Sequence, residues 1–129
     1  MESVIKFDNF NINLQKLKDE LSLIDDSNWH QHFSDLDEGW KAIPLISLDG
    51  KTDKNANKQG EGEIKDIVLR YKKTPILEKL PYFNEVLDKF KCYKLRTRIM
   101  RMVPGTNIEE HVDTQGWYNG IARMHYPII

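Results

Sequence analysis

With 129 residues, 40% of them hydrophobic and 30% charged, the chain has the size and composition of one globular domain, which excludes disorder over most of its length. A formal net charge of -1 offers no basic field to nucleic acid or to an anionic membrane surface. One cysteine excludes an internal disulfide framework, and neither a secretory leader in MESVIKFDNF nor a run of about 18 apolar residues is present, so a cytoplasmic protein without a membrane span is expected.

The first predicted element is an amphipathic helix in NINLQKLKDELSLI, residues 11–24. Leu14, Leu17, Leu21 and Ile24 recur there at spacings of three and four, with Asn11 or Asn13 as its cap. Such a helix is expected to cover a sheet. The acidic start of DDSNWHQHFSDLDEGWKAIPLISLDG reads as loop. WKAIPLISL reads as a short strand or two, with Pro44 confining the middle to an edge or a bulge. His30 and His32 stand two apart, a spacing that suits a metal only on a strand, and NWHQHFSD has the character of a loop. Residues 49–63, DGKTDKNANKQGEGE, carry no large apolar side chain and are expected to form a flexible surface loop.

IKDIVLRY, residues 64–71, suits either a strand or a turn of helix. In TPILEKLPYFNEVLDKF, Pro75 and Pro81 each fit a helix's first turn, and Leu80, Phe83, Leu87 and Phe90 repeat at helical spacing. One or two short helices ending near Phe90 are predicted, their apolar face in the core. The period then changes. YKLRTRIMRMV, residues 93–103, alternates Arg96, Arg98, Met100 and Met102 against Leu95, Thr97, Ile99, Arg101 and Val103, as a strand does. A Pro104-Gly105 turn, a short strand to His111, a loop with Gly116 and Gly120, and a last strand IARMHYPII complete the chain. The pattern is α+β in a single domain, 1–129, with helices first and an antiparallel sheet after them.

Two pairs near the end of the chain carry chemistry. Side chains two apart on a strand share a face, so an extended His111-Val112-Asp113 aims an imidazole and a carboxylate together. That is two thirds of the facial triad that holds Fe(II) with coordination positions open; an exposed turn with an ion pair presents the same triplet. On a terminal strand, Arg123 and His125 form a cationic stripe on one face, while Ala122, Met124, Tyr126 and Ile128 form a core-like row on the other. A buried guanidinium needs an anion, and arginine grips a carboxylate with two hydrogen bonds. An internal ion pair with one of the 20 acidic residues answers that need equally well.

The run RTRIMRMVPGTNIEEHVDTQGWYNGIARMHYPI resembles the signature region of the aspartyl/asparaginyl β-hydroxylase family, iron- and 2-oxoglutarate-dependent oxygenases with a jelly-roll core. There an arginine-bearing strand runs into a Pro-Gly turn, then His-x-Asp, then an R-x-H strand ending in aliphatics. GWKAIPLIS and LPYFNEVLDKF are similar to the region preceding that signature in bacterial proline hydroxylases of the group. The resemblance spans about residues 36–129 and is specific across 96–128. It implies that His111 and Asp113 ligate iron, that Arg123 and His125 contact a carboxylate of 2-oxoglutarate, and that Arg98 lies near the site. Fe(II) and 2-oxoglutarate, with O₂ as co-substrate, are then the cofactors, and the reaction is hydroxylation of an amino acid or of a peptide Asp or Asn side chain.

The family's second iron histidine and second 2-oxoglutarate arginine follow the R-x-H by several tens of residues. Neither lies within these 129 residues. The expected architecture is therefore N-terminal helices and an edge-strand region, 1–92, on a partial jelly roll (cupin-like) begun by 93–129, with the barrel's C-terminal half missing. An exposed sheet edge on such a half-barrel favours self-association. The alternatives are a truncated, non-catalytic module that binds a metal or an anion, and an interaction domain whose Arg123 and His125 pair internally.

Overall fold

The computed structural model of the protein describes residues 10–31, 39–57, 60–108 and 122–129. The chain opens with helix α1, Leu14–Leu21, whose start is set by the Asn13 side chain accepting a hydrogen bond from the Lys16 backbone N–H. A 3-10 turn at Asp26–Asn28 leads to the two-residue strand β1, His30–Gln31. The long strand β2, Trp40–Leu48, follows, so WKAIPLISL is one strand from end to end. It stops at Asp49-Gly50, where φ values of 57° and 69° demand residues that tolerate the left-handed region.

Helix α2, Ile64–Ile67, continues into a 3-10 turn, Val68–Arg70, and then strand β3, Tyr71–Lys73, so both readings of 64–71 hold in succession. A 3-10 turn at Pro75–Lys79 precedes helix α3, Pro81–Lys89, and strand β4 is Thr97–Met102. Both prolines stand at helix starts, where no backbone donor is lost.

All strand pairings are antiparallel, and β2 is their centre. Ala42 pairs with His30 and also with Met100, and Ile46 pairs with Lys73 and also with Thr97. A strand residue has two edges only, so β1 and β3 share one edge of β2 and β4 lies along the other. The sheet is thus an open, three-strand-wide α+β sheet, and strands interleave with helices rather than following them. Pro44 sits in this central strand and is fully buried, not at an edge. The bulge half of the expectation holds: the register with β4 shifts between Pro44 and Ile46, where a residue without an N–H cannot continue the ladder. Thr74 covers the irregularity, its Oγ1 donating to the Pro44 carbonyl at 2.8 Å and its N–H to the Leu45 carbonyl at 2.9 Å.

One face of the sheet carries the core. Ile43 opposite Ile99, with Leu45, packs against Leu17 of α1, Leu77 and Leu80 at the 3-10 turn before α3, and Phe83 of α3. The helices lock to each other through Glu20, whose carboxylate accepts from the N–H groups of Tyr82 and Phe83 at 2.6 and 2.9 Å. Pro81 has no N–H, so these two are the first donors of α3, and an acid on α1 satisfies both.

Two expectations are corrected. The polar run 49–63 does bury a side chain: within a 3-10 turn at Lys54–Asn57, Ala56 is 2% exposed. The Tyr71 hydroxyl accepts from the Gly60 N–H at 3.2 Å, and Ser47 Oγ donates to the Lys51 carbonyl at 2.6 Å, which ties this run to the sheet. At the end of the chain, 122–129 forms no strand, and Ala122, Met124 and Tyr126 are exposed. Of the expected buried row only Ile128 is half-buried, packed against the core cluster. The strand expected before His111 lies outside the described residues.

Candidate functional site

Register places the second face of the sheet. Trp40, Ala42 and Pro44 oppose Met102, Met100 and Arg98, and directly opposed residues put their side chains on one face. His30, opposite Ala42, joins them. This face therefore gathers an imidazole, an indole, a guanidinium and two thioethers, with Met100 and Met102 exposed and Arg98 half-buried. The sequence alternation had already sorted Arg98, Met100 and Met102 onto a common side; His30 and Trp40 join them only through pairing across strands.

Arg101 points to the opposite face. Its guanidinium lies 4.3 Å from the Trp29 ring centroid and its Nη1 donates to Asp26 Oδ1 at 3.3 Å, which commits it to the surface over the core. Its Nε is buried without a partner among the described residues.

Beyond β4 the backbone is held by a clamp. The Val103 N–H donates to the Gly39 carbonyl at 3.0 Å, extending the β2–β4 ladder by one rung, and the Thr106 N–H donates back to the Val103 carbonyl at 3.1 Å. Between them Gly105 takes φ 87°, the conformation that the Pro104-Gly105 turn requires of a glycine. The chain then runs past Ile108 toward His111 and Asp113, both outside the described residues.

Arg123 and His125 are both exposed on the irregular segment 122–129, which Ile128 anchors to the core. Among the described residues no group of three or more His, Cys, Asp or Glu side chains stands ready to hold a metal; His32, which the sequence sets two residues from His30, lies outside them. No helix among them is long and apolar enough to cross a membrane.

The sequence did not foretell one further feature. The gap between β1 and β3 on their shared edge of β2 opens a notch of about 430 Å³, lined by His30, Asp53, Lys79 and Ile76 among others. Its residues come from three separate segments, 27–30, 52–53 and 75–79, which is why no local pattern announces it. Neither the notch nor a shallower depression of about 590 Å³ at 88–94 includes Arg98, Arg123 or His125.

Comparison of the chain with protein-family models, with curated proteins and with solved structures returned no match.

Proposed function

We propose that the chain carries the centre of an iron- and 2-oxoglutarate-dependent hydroxylase of the aspartyl/asparaginyl β-hydroxylase type, on a jelly-roll-like sheet, acting on an amino acid or on a peptide Asp or Asn side chain. The observation that carries this reading is the order Arg98, Pro104-Gly105, His111-x-Asp113, Arg123-x-His125 along the chain. Three structural facts support it. Residues 97–102 form an antiparallel strand, a tight turn follows at Pro104-Gly105, and Arg123 and His125 lie at the surface.

The donor set fits the cofactors. A neutral imidazole and a carboxylate two residues apart suit Fe(II) and leave positions open, so His111 and Asp113 would hold the metal. Arg123 matches a carboxylate bidentately, and a histidine beside it adds a further donor, so Arg123 and His125 would grip 2-oxoglutarate. The chemistry that such a centre supplies when loaded is oxidative decarboxylation of 2-oxoglutarate to succinate and CO₂, coupled to hydroxylation of a substrate C–H bond. The protein's own share is to present the two metal donors on one face, neutralise the anion and orient the substrate. A cytoplasmic setting suits the free, exposed Cys92.

Calorimetry with Mn(II) and a non-reactive 2-oxoglutarate analogue tests the assignment, alongside succinate formation with iron and O₂. His111→Ala is expected to abolish metal binding. Arg123→Ala is expected to weaken the analogue by about 10- to 100-fold, the worth of a charged hydrogen bond, with metal affinity unchanged. Equal loss of both ligands in the Arg123 variant, or metal binding that survives loss of His111, would overturn it. A second reading, a non-catalytic binding module, draws on Met100, Met102, Val103, Met124 and Tyr126, all exposed. Ligand binding without succinate formation selects it.

A further inference from the structure

We infer that Asp49-Gly50 is a site of spontaneous backbone isomerisation, and that Arg70 is the residue that holds the reaction in check. Aspartate followed by glycine is especially prone to this chemistry, because glycine has no side chain to hinder attack by its nitrogen. The pair occurs once in the chain, at the turn that ends β2, where Asp49 is exposed. In the reaction the Gly50 nitrogen bonds to Asp49 Cγ, and the carboxyl hydroxyl leaves with the amide proton as water. A second water opens the succinimide ring so formed. Opening at the main-chain carbonyl of Asp49 yields isoaspartate, its backbone rerouted through Cγ and longer by one methylene. Opening at Cγ restores aspartate. One water is lost and one regained, so no other reactant is needed.

Both reacting groups are occupied by other partners in the fold. The Asp49 carboxylate accepts from Arg70 at 2.7 Å from Nη2 and 3.3 Å from Nε. The Gly50 N–H donates to the Ser47 carbonyl at 3.2 Å, a bond that must open before the nitrogen can attack. Arg70 grips Asp49 a second time through the main chain, its carbonyl accepting from the Asp49 N–H at 2.7 Å. The side-chain grip also bears on reactivity. Ring closure runs through the neutral acid, because a carboxylate has no hydroxyl to lose. Hydrogen bonding from Arg70 holds the carboxyl below its ordinary value, and the charges of Arg70, Lys51 and Lys72 act in the same sense. Isoaspartate at 49 would lengthen the chain beside Leu48–Tyr71, the last pair of the β2–β3 ladder, so the product is expected to loosen β3.

The test incubates the full folded chain at neutral pH and follows tryptic peptide 42–51 by chromatography and mass spectrometry. The isoaspartyl form elutes apart at unchanged mass and accepts a methyl group from an isoaspartyl carboxyl methyltransferase. The parent is compared with Arg70→Ala, Arg70→Lys and Ile128→Ala, each with its thermal midpoint, and with the parent unfolded in urea. Arg70→Ala is expected to speed isoaspartate formation about two- to fivefold, the worth of an exposed ion pair, with Arg70→Lys between it and the parent. Salt at about 1 M, which screens the pair without any substitution, should move the parent's rate in the same direction. Ile128→Ala lowers stability away from the turn, and its rate should stay at the parent's. The unfolded chain sets the upper rate. A folded parent that isomerises as fast as the unfolded chain overturns the assignment. So does an Arg70→Ala rate equal to the parent's, or an Ile128→Ala rate that matches Arg70→Ala.

Discussion

Glu20 and Asp49 show how differently two carboxylates act in one small protein. Glu20 is buried between two helices and accepts from the first two backbone donors of α3. Replacing it by Ala leaves both donors without an acceptor, for an expected loss of about 1–3 kcal/mol in a urea titration, with Gln losing less because one oxygen remains. A Glu20→Ala variant indistinguishable from the parent would show that water caps α3 instead. Asp49 lies on the surface, and its hydrogen bonds from Arg70 (2.7 Å from Nη2 and 3.3 Å from Nε) hold its carboxyl below the ordinary value of 3.8. A depressed acid stabilises the fold above its unfolded pKa, near pH 4, and loses that contribution as pH falls through the folded value. Asp49→Asn, which keeps the left-handed turn, should therefore lower the thermal midpoint slightly at pH 7, by an amount that shrinks as the pH falls below 4. Being exposed, the pair is screened, so 1 M salt should shrink the pH 7 difference. The Lys73–Asp88 pair at 2.7 Å follows the same sign, since Lys73 lowers the Asp88 carboxyl too.

At the level of elements, β2 decides the architecture because, among the described residues, it is the longest strand and every other strand pairs with it. Its apolar run predicts burial on both faces, and residues 42–47 are buried without interruption. What the run does not reveal is how a central strand accommodates Pro44. The solution is Thr74, thirty residues away, which closes over the Pro44 carbonyl. Thr74→Val keeps the shape and removes the hydroxyl, and is expected to cost about 0.5–1.5 kcal/mol in denaturant unfolding, with the β2–β4 register intact by NMR. A larger loss accompanied by register change would mean that Thr74 dictates the bulge rather than covering it. Helix boundaries followed more directly from composition: the Asn13 cap, Pro75 and Pro81 all mark starts that the structure adopts.

Among the described residues, one cluster ties together α1, the 3-10 turn Pro75–Lys79, α3, β2 and β4, and it reaches Ile128 in the C-terminal segment. Leu80 is fully buried at its centre, and Leu80→Ala should cost about 2–5 kcal/mol. Ile128 is half-buried, so Ile128→Ala should cost about 1 kcal/mol. Faster tryptic cleavage after Arg123 should accompany it, because that contact helps to hold 122–129 to the body. If Ile128→Ala leaves that cleavage unchanged, the segment is held by something other than its apolar anchor. Arg123 and His125 sit within this segment, so its docking also sets where the proposed 2-oxoglutarate contacts stand.

The sequence by itself determined the α+β class, the helix starts, the extended character of 40–48 though not its unity as one strand, the strand at 97–102 with its sorted faces, and the candidates His111, Asp113, Arg123 and His125. These follow from local chemistry: caps, prolines, the period of apolar residues, and the spacing of side chains along one backbone. Tertiary structure alone decided that β2 is central, that β1 and β3 share an edge and leave a notch between them, and that Ala56 is buried inside a polar run. It also decided that 122–129, despite an alternating pattern, forms no strand. Each of these depends on which backbone or side chain, distant in sequence, occupies the space alongside, and periodicity within a segment carries no record of its neighbours across the fold.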